Sequence, residues 1–539
     1  MTACAVSTDL IERFDLDSPW RLHPQVSVRP ERFGALLYHF GTRRLTFLKS
    51  RALLDVIQSL EAQPSARAAC ALAGVAPAEL ATYAAALDRL AGGSMITSQR
   101  PDSCGPRQAS NAVARTGASP VRAPAGQKSL VSDFHHGLDA PICLTWELTY
   151  ACNLSCVHCL SSSGRRDPAE LSTAECKRVI DELEAMQVFY VNIGGGEPTV
   201  RPDFWELVDY ATAHHVGVKF STNGVKITPE IARRLAATDY VDVQISLDGA
   251  TAEVNDAVRG PGSYATAIRA MEHLAGAGFQ GFKISVVVTR QNVGQLDQFN
   301  AIADQYGAQL RITRLRPSGR GADVWDELHP TADQQRELYE WLLARGENVL
   351  TGDSFFHLAG YGEGLPGLNM CGAGRVVCLI DPVGDVYACP FAIHDEFLAG
   401  NVRDDGGFAA VWQTSDLFGG LRRPQSGGAC TSCSAYNACQ GGCMAAKFFT
   451  GLPLDGPDPE CVRGFGATAL AATDRTVTVP KPSADHSHRT RQPVPVSIVP
   501  RPVADRPARP GQPVLGRPVP DRACDQSPLA GFALPGTRQ

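Results

Sequence analysis

The chain has 539 residues, a formal net charge of −6 and seventeen cysteines. That length exceeds what one hydrophobic core organises, so three or four units are expected, and the acidic balance argues against a nucleic-acid-binding surface. No uncharged apolar run reaches 18 residues, and the first residues lack a basic segment followed by an apolar one, so neither a membrane span nor an export signal is expected. Eleven of the cysteines fall into spaced clusters. In a long chain without an export signal, that pattern favours metal ligation in a reducing cytoplasm over disulfides.

Residues 7–98 predict a small α+β module. Gln25–Arg29, Ala35–His39 and Arg44–Leu48 alternate or run apolar over strand lengths. A helix starts at Ser50 and runs to about Leu60, and two more follow over Ser65–Ala73 and Pro77–Leu90. Three strands and three helices make a winged-helix-like unit. A DNA-binding use is disfavoured by charge: residues 1–100 hold eleven Lys/Arg against nine Asp/Glu, with no basic recognition helix. The other use of such a module is to accept an extended peptide as an extra strand. Residues 99–138, rich in Pro, Ser, Ala, Gly and Arg, read as a flexible linker.

Over residues 139–348 strands and helices alternate. Strands are expected at 142–148, 189–194, 217–222, 240–247, 281–288 and 309–315. A Ser172–Glu175 capping box opens one helix, Thr228 with Pro229 opens another, and Thr331 with Gln334 caps a third over 330–350. Six βα units argue for a parallel, barrel-like sheet with its chemistry at the carboxyl ends of the strands. The first strand leads into Cys152-x3-Cys156-x2-Cys159. Three thiolates on one tight loop can hold three irons of a [4Fe–4S] cube and leave the fourth open, whereas zinc would need a fourth ligand. Gly194-Gly195-Gly196-Glu197-Pro198 follows the second strand, Asn223-Gly224 the third, and Ser246 with Asp248 the fourth, with Arg259 thirteen residues past Ser246. Glycines let backbone N–H groups approach a ligand closely. As ordinary structure, Asn223-Gly224 is a turn and Asp248 a helix N-cap.

Residues 349–470 bring cysteines back. Cys371, Cys378 and Cys389 come first, then Cys430-x2-Cys433-x5-Cys439-x3-Cys443, then Cys461. Eight thiolates suffice for two fully ligated cubes, or for a pair of zinc knuckles. Cys4, Cys70, Cys104, Cys143, Cys176 and Cys524 fit neither group, and Cys143 and Cys176 are expected to pack as small apolar residues. Residues 471–539 turn proline-rich, with thirteen prolines from 480 onward, and are expected to be disordered.

The cysteine loop, the G-G-E-P stretch, Ser246 and Arg259 together resemble the radical S-adenosylmethionine (SAM) superfamily. The resemblance implies a partial (β/α)6 barrel with a [4Fe–4S] cluster on Cys152, Cys156 and Cys159 and SAM on its open iron. It places Gly195, Gly196, Glu197 and Pro198 at the amino group of SAM, and Ser246 and Arg259 at the ribose and carboxylate. Asn223 and Asp248 become further contacts, and His158 lies beside adenine through its backbone. The later cysteines are similar to the SPASM extension. That likeness assigns Cys371, Cys378, Cys389 and Cys443 to a nearer auxiliary cluster and Cys430, Cys433, Cys439 and Cys461 to a farther one, three [4Fe–4S] clusters in all. Asn369–His394 resembles the mycofactocin maturases, and Ser18–Lys49 resembles that pathway's peptide chaperone, so the chain looks like the two fused. Sulfatase maturases typically carry Cys-Asp where this chain has Cys389-Pro390, and the pyrroloquinoline-quinone maturase has an aspartate in place of Cys439. The implied substrate is a ribosomally made precursor whose leader lies on the Arg44–Lys49 strand and the next helix. The implied reaction is oxidative decarboxylation of its C-terminal tyrosine, then a carbon–carbon bond within the Val-Tyr pair. A flavodoxin or ferredoxin is the expected reductant; nucleic acid and membrane are not expected partners. The competing classes are a maturase of another ribosomal peptide and a redox-sensing winged-helix regulator.

Overall fold

The computed structural model describes residues 14–42, 44–98, 137–351, 355–365, 371–423 and 428–473. The expected linker up to residue 136 and the proline-rich tail beyond residue 473 lie outside these segments, as do Cys4, Cys104 and Cys524. All described residues fall in one unit, residues 1–498. Among them no helix is long and apolar enough to cross a membrane.

The N-terminal module opens with β1 (Trp20–Leu22), β2 (Val26–Glu31), β3 (Gly34–His39) and β4 (Arg44–Leu48). The last three form an antiparallel sheet with β3 in the middle. Glycine is required at Gly34, where φ is +143° and a Cβ would stand 2.2 Å from the Leu48 carbonyl oxygen. The helices α1 (Arg51–Ser59), α2 (Ala66–Leu72) and α3 (Leu80–Gly92) follow. Ser50 and Ser65 cap the first two by accepting from the N–H groups of Leu53 and Ala68. One pairing has no counterpart in the sequence reading. β5 (Ile96–Ser98) returns to lie antiparallel to β1, and three residues are too few to carry a periodic signal.

β3 is buried on both faces. Ala35 and Leu37 pack with Leu53, Leu54 and Ile57 of α1, while Leu36 and Tyr38 pack outward against Ile142, Phe189 and Val376. Burying side chains of this size contributes about 1.5–3 kcal/mol each, so the central strand fixes the module to the next domain. Arg29 adds directed bonds across the same seam. It donates to the carbonyl oxygens of Pro141 (2.7 Å) and Ala140 (2.9 Å) and pairs with Glu31 at 2.9 Å. The second Glu31 oxygen accepts from the Asp139 N–H at 3.2 Å.

The second domain runs β6 (Cys143–Thr149), α4 (Thr173–Ala185), β7 (Tyr190–Gly195), α5 (Phe204–Ala213), β8 (Gly217–Thr222), α6 (Pro229–Ala236), β9 (Val241–Ser246), α7 (Ala252–Arg259), α8 (Ser263–Gly276), β10 (Lys283–Val288), α9 (Leu296–Tyr306) and β11 (Gln309–Arg314). The capping box at Ser172 and the Thr228–Pro229 start are both present. α10 (Gly321–Leu328) and α11 (Ala332–Arg345) follow, the latter with its Thr331–Gln334 box. β12 (Leu379–Ile380), β13 (Asp385–Tyr387) and β14 (Leu398–Asn401) then join the sheet beside β6. The resulting order is β11-β10-β9-β8-β7-β6-β12-β13-β14, an open sheet in which the seven strands from β11 to β12 pair in parallel and β13 and β14 add antiparallel. The Cys-rich part adds α12 (Gly407–Thr414), α13 (Asp416–Arg422), α14 (Tyr436–Cys439), α15 (Met444–Phe449) and α16 (Phe465–Ala472).

Strand periodicity separates a dry face from a wet one. Leu144, Trp146, Val191, Ile193, Val218 and Phe220 belong to the apolar core. Their neighbours one residue away, Thr145, Glu147, Asn192, Lys219 and Ser221, line a cavity of about 1670 Å³ on the inner face. The N-terminal module covers the amino ends of these strands, where Tyr38 stacks on Phe189 at 5.4 Å and Phe40 lies against Gly217. The cysteine loop sits at their carboxyl ends.

Candidate active site

β6 ends in Thr149-Tyr150 and the loop bearing Cys152, Cys156 and Cys159. Backbone bonds fix this loop from several directions. The Cys152 N–H donates to the Gly164 carbonyl (3.1 Å), the Gly164 N–H to that of Tyr150 (2.8 Å), and the Val157 N–H to that of Val258 (3.0 Å) in α7. Arg320, beyond β11, donates from Nε to the Cys156 carbonyl and from Nη1 to that of Ser163, both at 2.9 Å. The N–H groups of Gly196 and Glu197 donate to the carbonyls of Thr149 and Ala151, each at 2.8 Å. A Cβ on Gly196 would stand 2.0 Å from the Ala151 oxygen. Glycine is thus required for strand end and cysteine loop to meet, and these two N–H groups hold the loop rather than a ligand. Arg320 is the contributor that sequence reasoning missed, because a backbone-directed arginine leaves no spacing signal.

All three thiols line the cavity, together with Gly195, Gly196, Glu197, Asn223, Ser246 and Arg259. Burial raises the Cys152 and Cys156 thiols, and a cationic partner such as a metal centre favours their thiolates. Glu197 accepts from the hydroxyls of Thr199 (2.6 Å) and Thr222 (2.7 Å) and from the Asn223 N–H (2.7 Å). The Asn223 side-chain amide reaches back to Asn153 of the cysteine loop at 2.8 Å. Pro198 is buried and opens the short turn Pro198–Val200, away from the cavity wall.

Asp248 does not serve as the helix N-cap weighed for it in the sequence. It is fully buried and does not line the cavity. The N-cap of α7 is Thr251. The Asp248 carboxylate pairs instead with Arg259 at 2.6 Å and His158 at 2.8 Å and accepts from the Val287 N–H at 2.7 Å. Burial alone would raise this carboxyl, but Arg259 and His158 together hold it well below the usual range. Asp248 therefore positions its two partners. The His158 imidazole is engaged by Asp248, and His158 also lines the cavity.

The later cysteines form two sets. Cys430, Cys433, Cys439 and Cys461 line a separate small cavity beside Asp458. Cys371, Cys389 and Cys443 line the large one. The Cys389 thiol is raised by burial and then by the neighbouring thiols of Cys371 and Cys443. Cys378 departs from its expected place in this set. Its carbonyl accepts from the Thr145 N–H of β6 at 3.0 Å, and its thiol is buried beside Cys143 and Arg422 instead of the cavity. Among the described residues no three His, Cys, Asp or Glu are placed to hold a single metal ion. Each set of thiols borders a space, which is what a cluster requires.

Family models place this architecture. The peptide chaperone MftB family matches residues 19–97, the radical SAM superfamily residues 146–300, and the iron–sulfur cluster-binding SPASM domain residues 371–434. Over 403 residues, 74% of this chain and 98% of the relative, the sequence is 71% identical to the mycofactocin maturase MftC of Mycolicibacterium smegmatis. The chain belongs to the mycofactocin maturase family. Over 89 residues, 16% of the chain and 82% of the relative, it is 57% identical to the peptide chaperone MftB of Mycobacterium ulcerans. This maturase therefore carries a chaperone-family module on the same chain. Streptococcus suis SuiB bound to S-adenosylmethionine shares the fold, with a TM-score of 0.58 at 17% identity over 82% of this chain and 99% of that one. The maturase is a radical SAM enzyme that works with S-adenosylmethionine and iron–sulfur clusters.

Among the acids on the cavity wall of the maturase, sequence reasoning missed Glu147. Glu147 is 2% exposed and its Oε2 has no hydrogen-bond partner. Burial, and then the nearby Asp381 charge, push its carboxyl from 4.5 up to about 8. Its alternation with Leu144, Trp146 and Leu148 was the available signal, since it marks an inner-face position. A raised carboxyl contributes fully to stability below its unfolded pKa, and that contribution is lost as pH rises through the folded one. Glu147→Gln is therefore expected to gain about 2–3 kcal/mol over wild type between pH 6 and pH 8, at roughly 1.4 kcal/mol per unit. Denaturation of the reconstituted enzyme at the two pH values measures it, and a pH-independent difference would contradict the assignment.

Proposed function

We propose that this maturase decarboxylates the C-terminal tyrosine of a ribosomally made precursor oxidatively and then joins it to the preceding valine through a carbon–carbon bond. One observation carries the reading. A single cavity is lined by Arg44, Leu45 and Phe47 of β4 and also by Cys152, Cys156 and Cys159. Among the described residues no strand pairs with the outer edge of β4. A leader peptide adds there as a strand, its backbone hydrogen bonds giving affinity, and the core segment extends along the cavity to the cysteine loop. Packing of the module on the barrel through Leu36, Tyr38 and Phe189 supports this placement.

Cys152, Cys156 and Cys159 hold the first [4Fe–4S] cluster in this reading. Cys430, Cys433, Cys439 and Cys461 hold a second, and Cys371, Cys389 and Cys443 contribute to a third. With SAM bound, the first centre supplies a 5′-deoxyadenosyl radical able to take hydrogen from an unactivated C–H bond. Glu197, Asn223, Ser246 and Arg259 orient the SAM moiety, and the Asp248 pair keeps Arg259 in place. Leu36, Tyr38 and Phe189 seal the module against the barrel and keep water from that seam. In the first step the tyrosine would give up CO2, one hydrogen atom from its β-carbon, one proton and one electron, and the clusters that the downstream thiolates would hold would take up that electron. A flavodoxin- or ferredoxin-class reductant primes the cycle.

The test is mass spectrometry of a precursor ending in Val-Tyr, incubated anaerobically with SAM and dithionite. The expected product is lighter by about 46 Da, the mass of CO2 and two hydrogens removed by the cofactor-driven oxidation. An unchanged peptide alongside 5′-deoxyadenosine formation would point to another substrate.

A further inference from the structure

We propose that Arg316 anchors the peptide's C-terminal carboxylate inside the cavity. The assignment deepens the decarboxylation reading above and rests on it for the identity of the ligand.

Arg316 lies two residues beyond β11, on the loop leading to Arg320. It is 7% exposed and lines the same cavity as Cys156, Cys159, Cys371 and Cys389. Burying a guanidinium without a counter-charge is costly, and buried charges are normally paired. The other buried arginines obey this rule. Arg29 pairs with Glu31, Arg201 with Asp203, and Arg314 with both Asp458 and Glu460. Arg316 departs from it, since among the described residues no carboxylate lies within ion-pair distance of its guanidinium. Its Nη1 donates only to the Arg314 carbonyl, at 3.3 Å, and its buried Nε has no partner. The Phe391 ring supports it from below, with the guanidinium carbon 3.5 Å from the ring centroid. That packing holds the planar fork in one orientation without neutralising it.

An unpaired fork held rigid at a cavity wall is suited to a bidentate anion, above all a carboxylate. The cavity joins the peptide-binding edge to the cysteine loop, and the group that the proposed reaction removes is a carboxylate. Arg316 would hold that group between the thiols of Cys152–Cys159 and those of Cys371 and Cys389, fixing which carbon meets the radical source. The competing partner is the negative charge of a cluster on Cys389, a thiol close enough to feel Arg316.

The test uses full-length, cluster-reconstituted enzyme and the dipeptide N-acetyl-Val-Tyr as free acid and as C-terminal amide. Calorimetry is expected to show wild type preferring the acid by about 10- to 100-fold, the range of a charge-assisted hydrogen-bonded pair. In Arg316→Gln that ratio should fall to about one, and Arg316→Lys should recover part of it. The auxiliary-cluster potentials, read by electron paramagnetic resonance titration, separate this role from neutralisation of a cluster on Cys389. Equal binding of acid and amide by wild type would overturn the proposal, as would a preference that survives in Arg316→Gln. Shifted potentials with the preference intact would overturn it in favour of cluster neutralisation. If wild type prefers the acid but leaves the precursor's mass unchanged, the anchor stands and the decarboxylation reading fails.

Discussion

Cys156→Ala is expected to lower 5′-deoxyadenosine formation by at least about a thousandfold and to remove one cluster's iron, about four atoms per chain. The magnitude follows from the division of labour. The cofactor carries the hard step, and no side chain at the cavity replaces it. Cys156 is also central to the loop. Its carbonyl accepts from Arg320 and its neighbour Val157 is tied to Val258, so the backbone stays fixed when the thiol is lost. The variant should therefore fold, keep the downstream iron and bind precursor. Residual SAM cleavage near the wild-type rate would remove Cys156 from the radical source. Iron analysis and chromatography of the nucleoside product measure both quantities.

The second large effect concerns stability. Arg314 ends β11 and reaches into the Cys-rich region, donating to both Asp458 oxygens (2.9 and 2.5 Å) and to Glu460. Asp458 also accepts from the Cys443 N–H at 2.7 Å and borders the cavity of Cys430, Cys433, Cys439 and Cys461. Burial would raise the Asp458 carboxyl, but Arg314 outweighs it and holds the group charged. Arg314→Met leaves two buried carboxylates without a counter-charge. It is expected to cost about 3–5 kcal/mol, as for breaking a buried pair from one side, and to loosen iron in both auxiliary sites. Adding Asp458→Asn and Glu460→Gln should recover much of the loss. An unchanged melting temperature and iron content would show that this network does not couple barrel and Cys-rich region.

What the sequence made legible was local. The cysteine loop, the capping boxes and the six barrel strands rest on spacing and periodicity, and the strands fall within two residues of their expected ends. The long-range arrangement was less accessible. Arg29 and Glu31 look like polar positions of an edge strand, yet they bind the backbone of residues 139–141 across the domain seam. Gly196 and Glu197 look like ligand donors, yet their N–H groups meet the cysteine loop, which folding brings alongside. Cys378 has spacing suited to a ligand, but the short strand β12 pairs with β6 and turns its thiol toward Cys143. Glu147 carried only its alternation as a signal, and Arg316, on the loop beyond β11, left none.

The most direct test of the central claim uses a precursor ending in Val-Tyr with deuterium on the tyrosine β-carbon. The predicted result is deuterium in the 5′-deoxyadenosine, formed in step with a decarboxylated peptide. Unlabelled 5′-deoxyadenosine beside a fully decarboxylated peptide would contradict the claim that hydrogen is taken from that carbon.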